Sequence, residues 1–220
     1  MTNKEFAQYA IDYSKSDTCY VMGGTGQILT GNTIAMFKRL YPYNKSHETI
    51  LNQHIGSYAL DCSGLIKTIL WGNIPGDYSP ERYGNGCPDI NADTMYTRWQ
   101  KRPMAEKLVE GDIVWMRGHV GIYIGNERVV EATPKWKGNV QITNFSQRTW
   151  KAALINPWVT YVDDEEEHEM EVRMFISVQK GDTLTKIARR CKIKLKELIE
   201  LNPQIEDPNK IYPGEQIRIK

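Results

Sequence analysis

What this sequence lacks narrows it first. No apolar run reaches the roughly 18 residues that a membrane-spanning helix needs, so membrane insertion is not expected. The opening residues Met1–Phe6 carry no apolar stretch of the kind a secretory signal uses. The four cysteines, at 19, 62, 87 and 191, form no Cys-x-x-Cys pair. That spacing argues against a structural zinc site, and the low count fits folding in a reducing cytosol. No basic stripe is interleaved with aromatics, which excludes nucleic acid as an expected partner. The run Gly23-Gly24-Thr25-Gly26 lacks the Gly-Lys-Ser/Thr ending of a phosphate-binding loop. His47 and His54 stand seven residues apart rather than four, with no Glu-x-x-His companion, and read as loop histidines. No metal or cofactor is implied.

What is present divides into three stretches by charge. The net charge of +1 resolves into +3 over residues 1–161, −6 over 162–173 and +4 over 174–220. The acidic stretch has almost nothing to bury and reads as a solvated, self-repelling linker, with His168 inert inside it. A flexible dozen residues spans roughly 20 Å. Two domains are therefore expected, at 1–161 and 174–220.

In the first, Leu65, Ile66, Ile69 and Leu70 recur at helical spacing, so residues 63–71 predict a helix with one buried side. Asp61 is a good N-cap, and it places Cys62 at the helix N-terminus, where the backbone dipole favours an anion. Such a setting lowers a thiol's pKa to between ~3.5 and ~7.5. Downstream, residues 112–133 alternate as strands, with His119, Gly121 and Tyr123 on one face. A three-residue connection at Gly125–Glu127 puts Glu131 opposite Gly121, on the His119 face. A two-residue connection would put it on the other face. Further strands are expected at Val140–Asn144 and Ala153–Trp158. Helices are expected at 4–15 (Phe6, Ala7, Ala10, Ile11 and Tyr13 inward), at 33–40, and at 93–102, capped by Asp89 or Asn91 and ended by Pro103. Residues 41–44 read as a turn and 77–90 as a surface loop.

Three separated motifs, Asp61-Cys62-Ser63-Gly64, Gly111-Asp112-Ile113-Val114 and His119-Val120-Gly121-Ile122-Tyr123-Ile124-Gly125, occur in this order. Together they resemble the NlpC-type cell-wall peptidases, papain-like cysteine peptidases of bacterial peptidoglycan, over roughly residues 18–158. The resemblance implies an α+β, papain-like domain whose helix-borne cysteine packs on an antiparallel sheet. It implies Cys62 as nucleophile, held as an ion pair by His119. The family's third position falls on Glu131, where His, Asn or Gln is usual. It also implies that Tyr20, in a run that matches the family's except for Met22 in place of tryptophan, helps position substrate or the oxyanion. Asp61 and Ser63 would hold the substrate's amine end, unless Asp61 serves only as the cap. The bond implied is γ-D-glutamyl to diaminopimelate or lysine. A CHAP-like N-acetylmuramoyl-L-alanine amidase, or a catalytically inactive wall-binding component of a particle, are the alternatives. The 36 residues between Gly24 and Asp61 exceed the family's usual spacing and are expected to shape substrate access.

Residues 174–220 resemble a LysM module, through Val178-Gln179-Lys180-Gly181-Asp182-Thr183-Leu184, Leu201-Asn202-Pro203 and Ile211-Tyr212-Pro213-Gly214. The expected pattern is βααβ, with Asp182 capping the first helix, Leu184, Ile187 and Ala188 inward on it, and Leu195, Leu198 and Ile199 inward on the second. The resemblance implies binding of N-acetylglucosamine-containing glycan by Gly181, Asp182, Thr183 and Leu184, with Asn202, Pro203 and Ile205. Bacterial peptidoglycan, as stem peptide and glycan, is thus the expected partner. The expected route is synthesis in the cytoplasm and action at the cell wall, through phage holin release or carriage on a phage tail-like particle.

Overall fold

A computed structural model describes residues 1–79, 86–103, 106–162, 175–191, 193–205 and 207–219. It forms two compact units, Met1–Tyr161 and Val162–Lys220. The linker expected over 162–173, with His168, lies outside the described residues from 163 on, as do residues 80–85 of the expected 77–90 loop. Among the described residues no helix is long and apolar enough to cross a membrane.

The first unit opens with α1 (Asn3–Lys15), started by a capping box in which Thr2 and Glu5 satisfy each other's backbone N–H groups. Phe6, Ala7, Ala10 and Tyr13 turn into the core, while Ile11 is only partly buried. A small sheet follows in the order β1 (Thr18–Tyr20), β3 (Tyr58–Leu60), β2 (Thr25–Ile28). The long segment between β2 and β3 holds three helices: α2 (Gly31–Leu40), α3 (Pro42–Ser46) and α4 (Glu48–Gln53). The turn expected at 41–44 is thus corrected to the start of a helix. Pro42 sits in its first turn, where a missing N–H costs nothing.

From β3 the chain enters α5 (Cys62–Leu70), whose nine residues are all buried. Then comes α6 (Ala92–Arg98), capped by the Asn91 side chain on Thr94 N–H at 2.9 Å. The helix is shorter than the expected 93–102 because Lys101 and Arg102 leave it to form β4, paired with Leu154 and Ala153. The main sheet is antiparallel and six-stranded, in the order β4 (Lys101–Arg102), β9 (Ala152–Leu154), β5 (Ile113–Met116), β6 (His119–Tyr123), β7 (Arg128–Ala132), β8 (Val140–Asn144). β9 stops at Leu154, short of the expected Trp158.

One face of this sheet meets α1 and α5 through Leu65, Ile66, Ile69, Ile113, Val120, Ile122 and Val130, all at most 1% exposed. Burial of this kind is the main favourable term in folding. The other face carries a smaller cluster of Val114, Tyr123 and Val129 with Phe145 and Trp150 packed on it. The Gly111-Asp112 pair is structural. Gly111, at φ +87°, lies against Asn3, where a Cβ would come within 2.7 Å of the Asn3 carbonyl oxygen.

The second unit is a βααβ module. β10 (Phe175–Ser177) pairs antiparallel with β11 (Gln216–Arg218), and between them lie α7 (Leu184–Cys191) and α8 (Leu195–Glu200). Val178, Leu184, Ile187, Ala188, Leu198 and Ile217 make its core. The expected inward Leu195 is instead 38% exposed. The expected cap moves by one residue: the Thr183 hydroxyl accepts the Lys186 N–H at 3.3 Å, while Asp182 accepts the Gln179 N–H at 3.0 Å and closes the preceding turn.

Candidate active site

Cys62 stands at the first position of α5, and the glycine turn before β2 fixes that position. Asp61 Oδ1 accepts the Gly64 N–H at 2.6 Å and the Ser63 hydroxyl at 3.0 Å, and Oδ2 accepts the Gly23 N–H at 2.8 Å. Asp61 therefore caps the helix and clamps it to the turn. Ser63 is buried beneath it. The packing is backbone against backbone: a Cβ on Gly64 would fall 1.8 Å from the Gly24 carbonyl oxygen, so any side chain there would displace the nucleophile.

The thiol is buried, and its pKa is pushed up to about 12. Burial is the main cause and the Asp61 carboxylate adds to it, while N–H groups of Val120, Ser63 and Cys62 itself pull the other way. Burial and the Asp61 charge thus work against the lowering expected from the helix N-terminus alone. Among the described residues no hydrogen bond joins it to His119. It lies instead at the start of β6, beside the backbone of the residue after His119. Such contacts commonly tighten only when substrate is bound.

His119 opens β6. The β6–β7 register pairs Ile122 with Val130 and Tyr123 with Val129, and the Ile124 N–H reaches the Arg128 carbonyl at 3.0 Å. This is the three-residue connection, and one further step places Gly121 opposite Glu131. The His119 Nε2 and Glu131 Oε2 atoms are 2.6 Å apart. Nε2 is thereby committed to the carboxylate, and Nδ1 is the ring nitrogen left to exchange a proton. The indole of Trp150 lies parallel to the imidazole at 5.8 Å.

Glu131 is fully buried and has four donors around it. Besides His119, the Thr143 hydroxyl donates to Oε1 at 2.7 Å, and Arg148 donates to Oε2 through NH2 at 2.6 Å and Nε at 3.0 Å. Burial raises the Glu131 pKa, but the hydrogen bonds from His119, Arg148 and Thr143 outweigh it and hold the group below its usual value, ionised. Arg148 also donates to the Thr133 hydroxyl at 2.8 Å and lies over the Trp136 ring at 4.9 Å. Sequence reasoning missed Arg148, Thr143 and Thr133.

Tyr20 lies beside the nucleophile. Its phenol is pushed up by burial first, then by Cys62 and Asp61. Its N–H reaches the Gly138 carbonyl at 2.8 Å, and its ring meets Tyr43 edge to face at 5.8 Å. Tyr43 belongs to α3, so the inserted helices reach this side of the site. Asn44, fully buried, fixes them there: its Oδ1 accepts the Met22 N–H at 3.0 Å and its Nδ2 donates to the Met22 carbonyl at 2.9 Å. His47 stacks on Tyr43 at 4.0 Å, and His54 ends α4. Among the described residues no three His, Cys, Asp or Glu side chains gather as metal ligands would.

In the second unit, Gly181, Thr183 and Pro203 are exposed, and Asp182 and Ile205 are partly covered. Leu184 is 2% exposed and packs in the core. Asn202 is fully buried: its Oδ1 accepts the Arg218 N–H at 2.8 Å and its Nδ2 donates to the Leu198 and Arg218 carbonyls, each at 2.7 Å. It ties α8 to β11.

Two family models match the chain: the NlpC/P60 family over residues 18–159 and the LysM domain over residues 176–220. Among curated proteins, an endolysin of Bacillus phage B103 is 55% identical over 42 residues, which is 19% of this chain. An endolysin of Bacillus phage PZA is 32% identical over 89 residues, 39% of this chain. The matches span 16% and 34% of those endolysins. Among solved structures, the peptidoglycan hydrolase RipB of Mycobacterium tuberculosis aligns at 20% identity and a TM-score of 0.42, over 72% of this chain and 67% of that one.

Proposed function

The chain belongs to the NlpC/P60 family and carries a LysM domain at its C-terminal end, and on that premise we propose that it is a peptidoglycan hydrolase working as a cysteine peptidase. The observation that carries this reading is the His119–Glu131 contact at 2.6 Å, buried one residue from the N–H that meets the Cys62 thiol. In the reaction the Cys62 proton passes to His119 Nδ1, and Sγ attacks the amide carbonyl carbon. The imidazolium, stabilised through Nε2 by Glu131, then gives that proton to the departing amine as the C–N bond breaks. Water hydrolyses the thioester, releasing a carboxylic acid and restoring the thiol. The Cys62 N–H and the Tyr20 hydroxyl are the groups we assign to hold the oxyanion. The raised thiol pKa fits a nucleophile that ionises only when substrate brings the two side chains together. A stem-peptide bond, γ-D-glutamyl to diaminopimelate or lysine, is the substrate we assign. Residues 174–220 serve to hold the enzyme on N-acetylglucosamine-containing glycan, with Gly181, Thr183 and Pro203 the exposed binders and Asp182 and Ile205 partly covered beside them. The residues 162–173 act as the tether, and the cell wall is the site of action.

The buried thiol, with no hydrogen bond to His119 among the described residues, favours one second reading, a wall-binding protein with a silent peptidase domain. Digestion of purified peptidoglycan by the wild type and by Cys62→Ala, with fragments identified by mass spectrometry, separates the two. Fragments from the wild type alone establish the nucleophile, and their new termini name the bond. No fragments from either, with both proteins still pelleting with the wall, establishes the binding reading.

A further inference from the structure

A buried carboxylate against a catalytic imidazole poses a problem that a neutral Asn or Gln does not. An uncompensated anion at 2.6 Å would stabilise the imidazolium strongly, and a heavily stabilised imidazolium is a poor donor to a leaving amine. The structure contains a compensating charge. Oε2 of Glu131 is shared: His119 Nε2 approaches it at 2.6 Å, and Arg148 NH2 at 2.6 Å and Nε at 3.0 Å. The Arg148 side chain is 8% exposed, so solvent screens the pair weakly. The guanidinium is itself fixed by the Thr133 hydroxyl and by the Trp136 ring above it.

We propose that Arg148 is a positioning residue of this site: it neutralises Glu131, so that the carboxylate orients His119 Nε2 as an amide would without locking the ring in its charged form. This rests on the peptidase reading above. Carboxylate and guanidinium together present the imidazole with a net charge near zero, which lets a glutamate stand where the family usually has His, Asn or Gln. The titratable or charged groups of the neighbouring elements are Cys62, which opens α5 and meets the Val120 N–H, Asp61, which caps that helix, Tyr20 on β1 beside both, Asp93 on α6, which accepts the Gly118 N–H at 2.8 Å, and Arg117 in the β5–β6 turn. Of these none touches the Glu131 carboxylate. The charge that His119 senses through Nε2 is therefore set by Glu131 and Arg148.

The test is a titration that needs no turnover. The His119 ring-proton resonance is followed by NMR against pH in the wild type, Arg148→Met, Glu131→Gln and the double variant Glu131→Gln/Arg148→Met, and assigned by its loss in His119→Gln. Arg148→Met is expected to raise the His119 midpoint by about one pH unit and Glu131→Gln to lower it by a similar amount. The double variant, which buries no unpaired charge, returns it to near the wild-type value and regains activity on peptidoglycan that Glu131→Gln alone has lost. If Arg148→Met does not fold, the comparison of Glu131→Gln with the double variant carries the test. A double variant that titrates and hydrolyses no differently from Glu131→Gln overturns the proposal. A wild type that releases no fragments overturns the peptidase reading, while the titration still decides whether Arg148 sets the charge at His119.

Discussion

Among the described residues the first unit contains two buried carboxylates, and they are built alike. Asp112 and Glu131 are both fully buried. Each accepts from an arginine: Asp112 from Arg102 Nε and NH2 at 2.6 and 2.9 Å, Glu131 from Arg148. Each also accepts from a hydroxyl, Tyr161 at 2.9 Å in one case and Thr143 at 2.7 Å in the other. They differ in the last donor. For Asp112 it is the Val109 N–H at 2.8 Å, a group that never changes charge, and for Glu131 it is an imidazole. The same arrangement thus serves as a fastening in one place and as part of a proton-handling device in the other. Burial and ion pairing alone would not separate the two; the titratable partner does.

The comparison breaks most visibly at Asp112. Asp112→Ala leaves the largely covered Arg102 with only its longer contact to Glu106, at 3.4 Å, and takes the acceptor away from the Tyr161 hydroxyl and the Val109 N–H. A broken buried pair of this kind costs about 3–5 kcal/mol. Urea unfolding should show that loss, while the molecules that remain folded hydrolyse peptidoglycan at the wild-type rate. A variant that is stable yet inactive would place Asp112 in the chemistry and end the distinction.

Glu131→Gln should strike the chemistry as well. Its hydrolysis rate is expected to fall by about 100-fold, the lower end of what acid–base partners contribute. Because it leaves the buried Arg148 without its anion, its stability loss should be of the same order as that of Asp112→Ala. Acid sharpens the contrast. Because the folded pKa of Glu131 is lowered, its contribution is complete above the unfolded value of about 4.3 and is lost as pH falls through the folded value. Melting temperature should therefore drop more steeply in the wild type than in Glu131→Gln once pH falls below about 4.3. Parallel curves would mean that Glu131 gains nothing from its partners.

The two carboxylates also show what a sequence can disclose. Glu131 was legible because strand alternation and a three-residue connection fix which face it takes, and both are local. Arg148 was not: it follows a short 3₁₀ turn, Phe145–Gln147, in a stretch with no period, and reaches Glu131 only through the folded sheet. The Asp61 cap was readable, but the state of Cys62 was not, since burial and the Asp61 charge enter only once the helix packs against β6. Long-range pairing likewise shortened the expected helix at 93–102, because β4 needs β9 as its partner. Asp182 and Thr183 are adjacent residues, both of capping type, and nothing in the sequence chose between them.

A third carboxylate, in the second unit, supplies the weak limit of the series. Asp182 pairs with Arg190 at 3.2 Å, but that arginine is half exposed. Its pKa is lowered first by the Gln179 N–H, and by Arg190 after it. Exposed pairs contribute little, and salt screens what they do contribute. Asp182→Asn keeps an oxygen to accept the Gln179 N–H and loses only the screened pair. Its melting temperature should match the wild type at moderate salt. Pelleting with purified peptidoglycan then isolates the other role assigned to this residue. If binding weakens while melting is unchanged, Asp182 contacts glycan. If neither changes, it does no more than close the turn ahead of α7, and the glycan contacts fall to Gly181, Thr183 and Pro203.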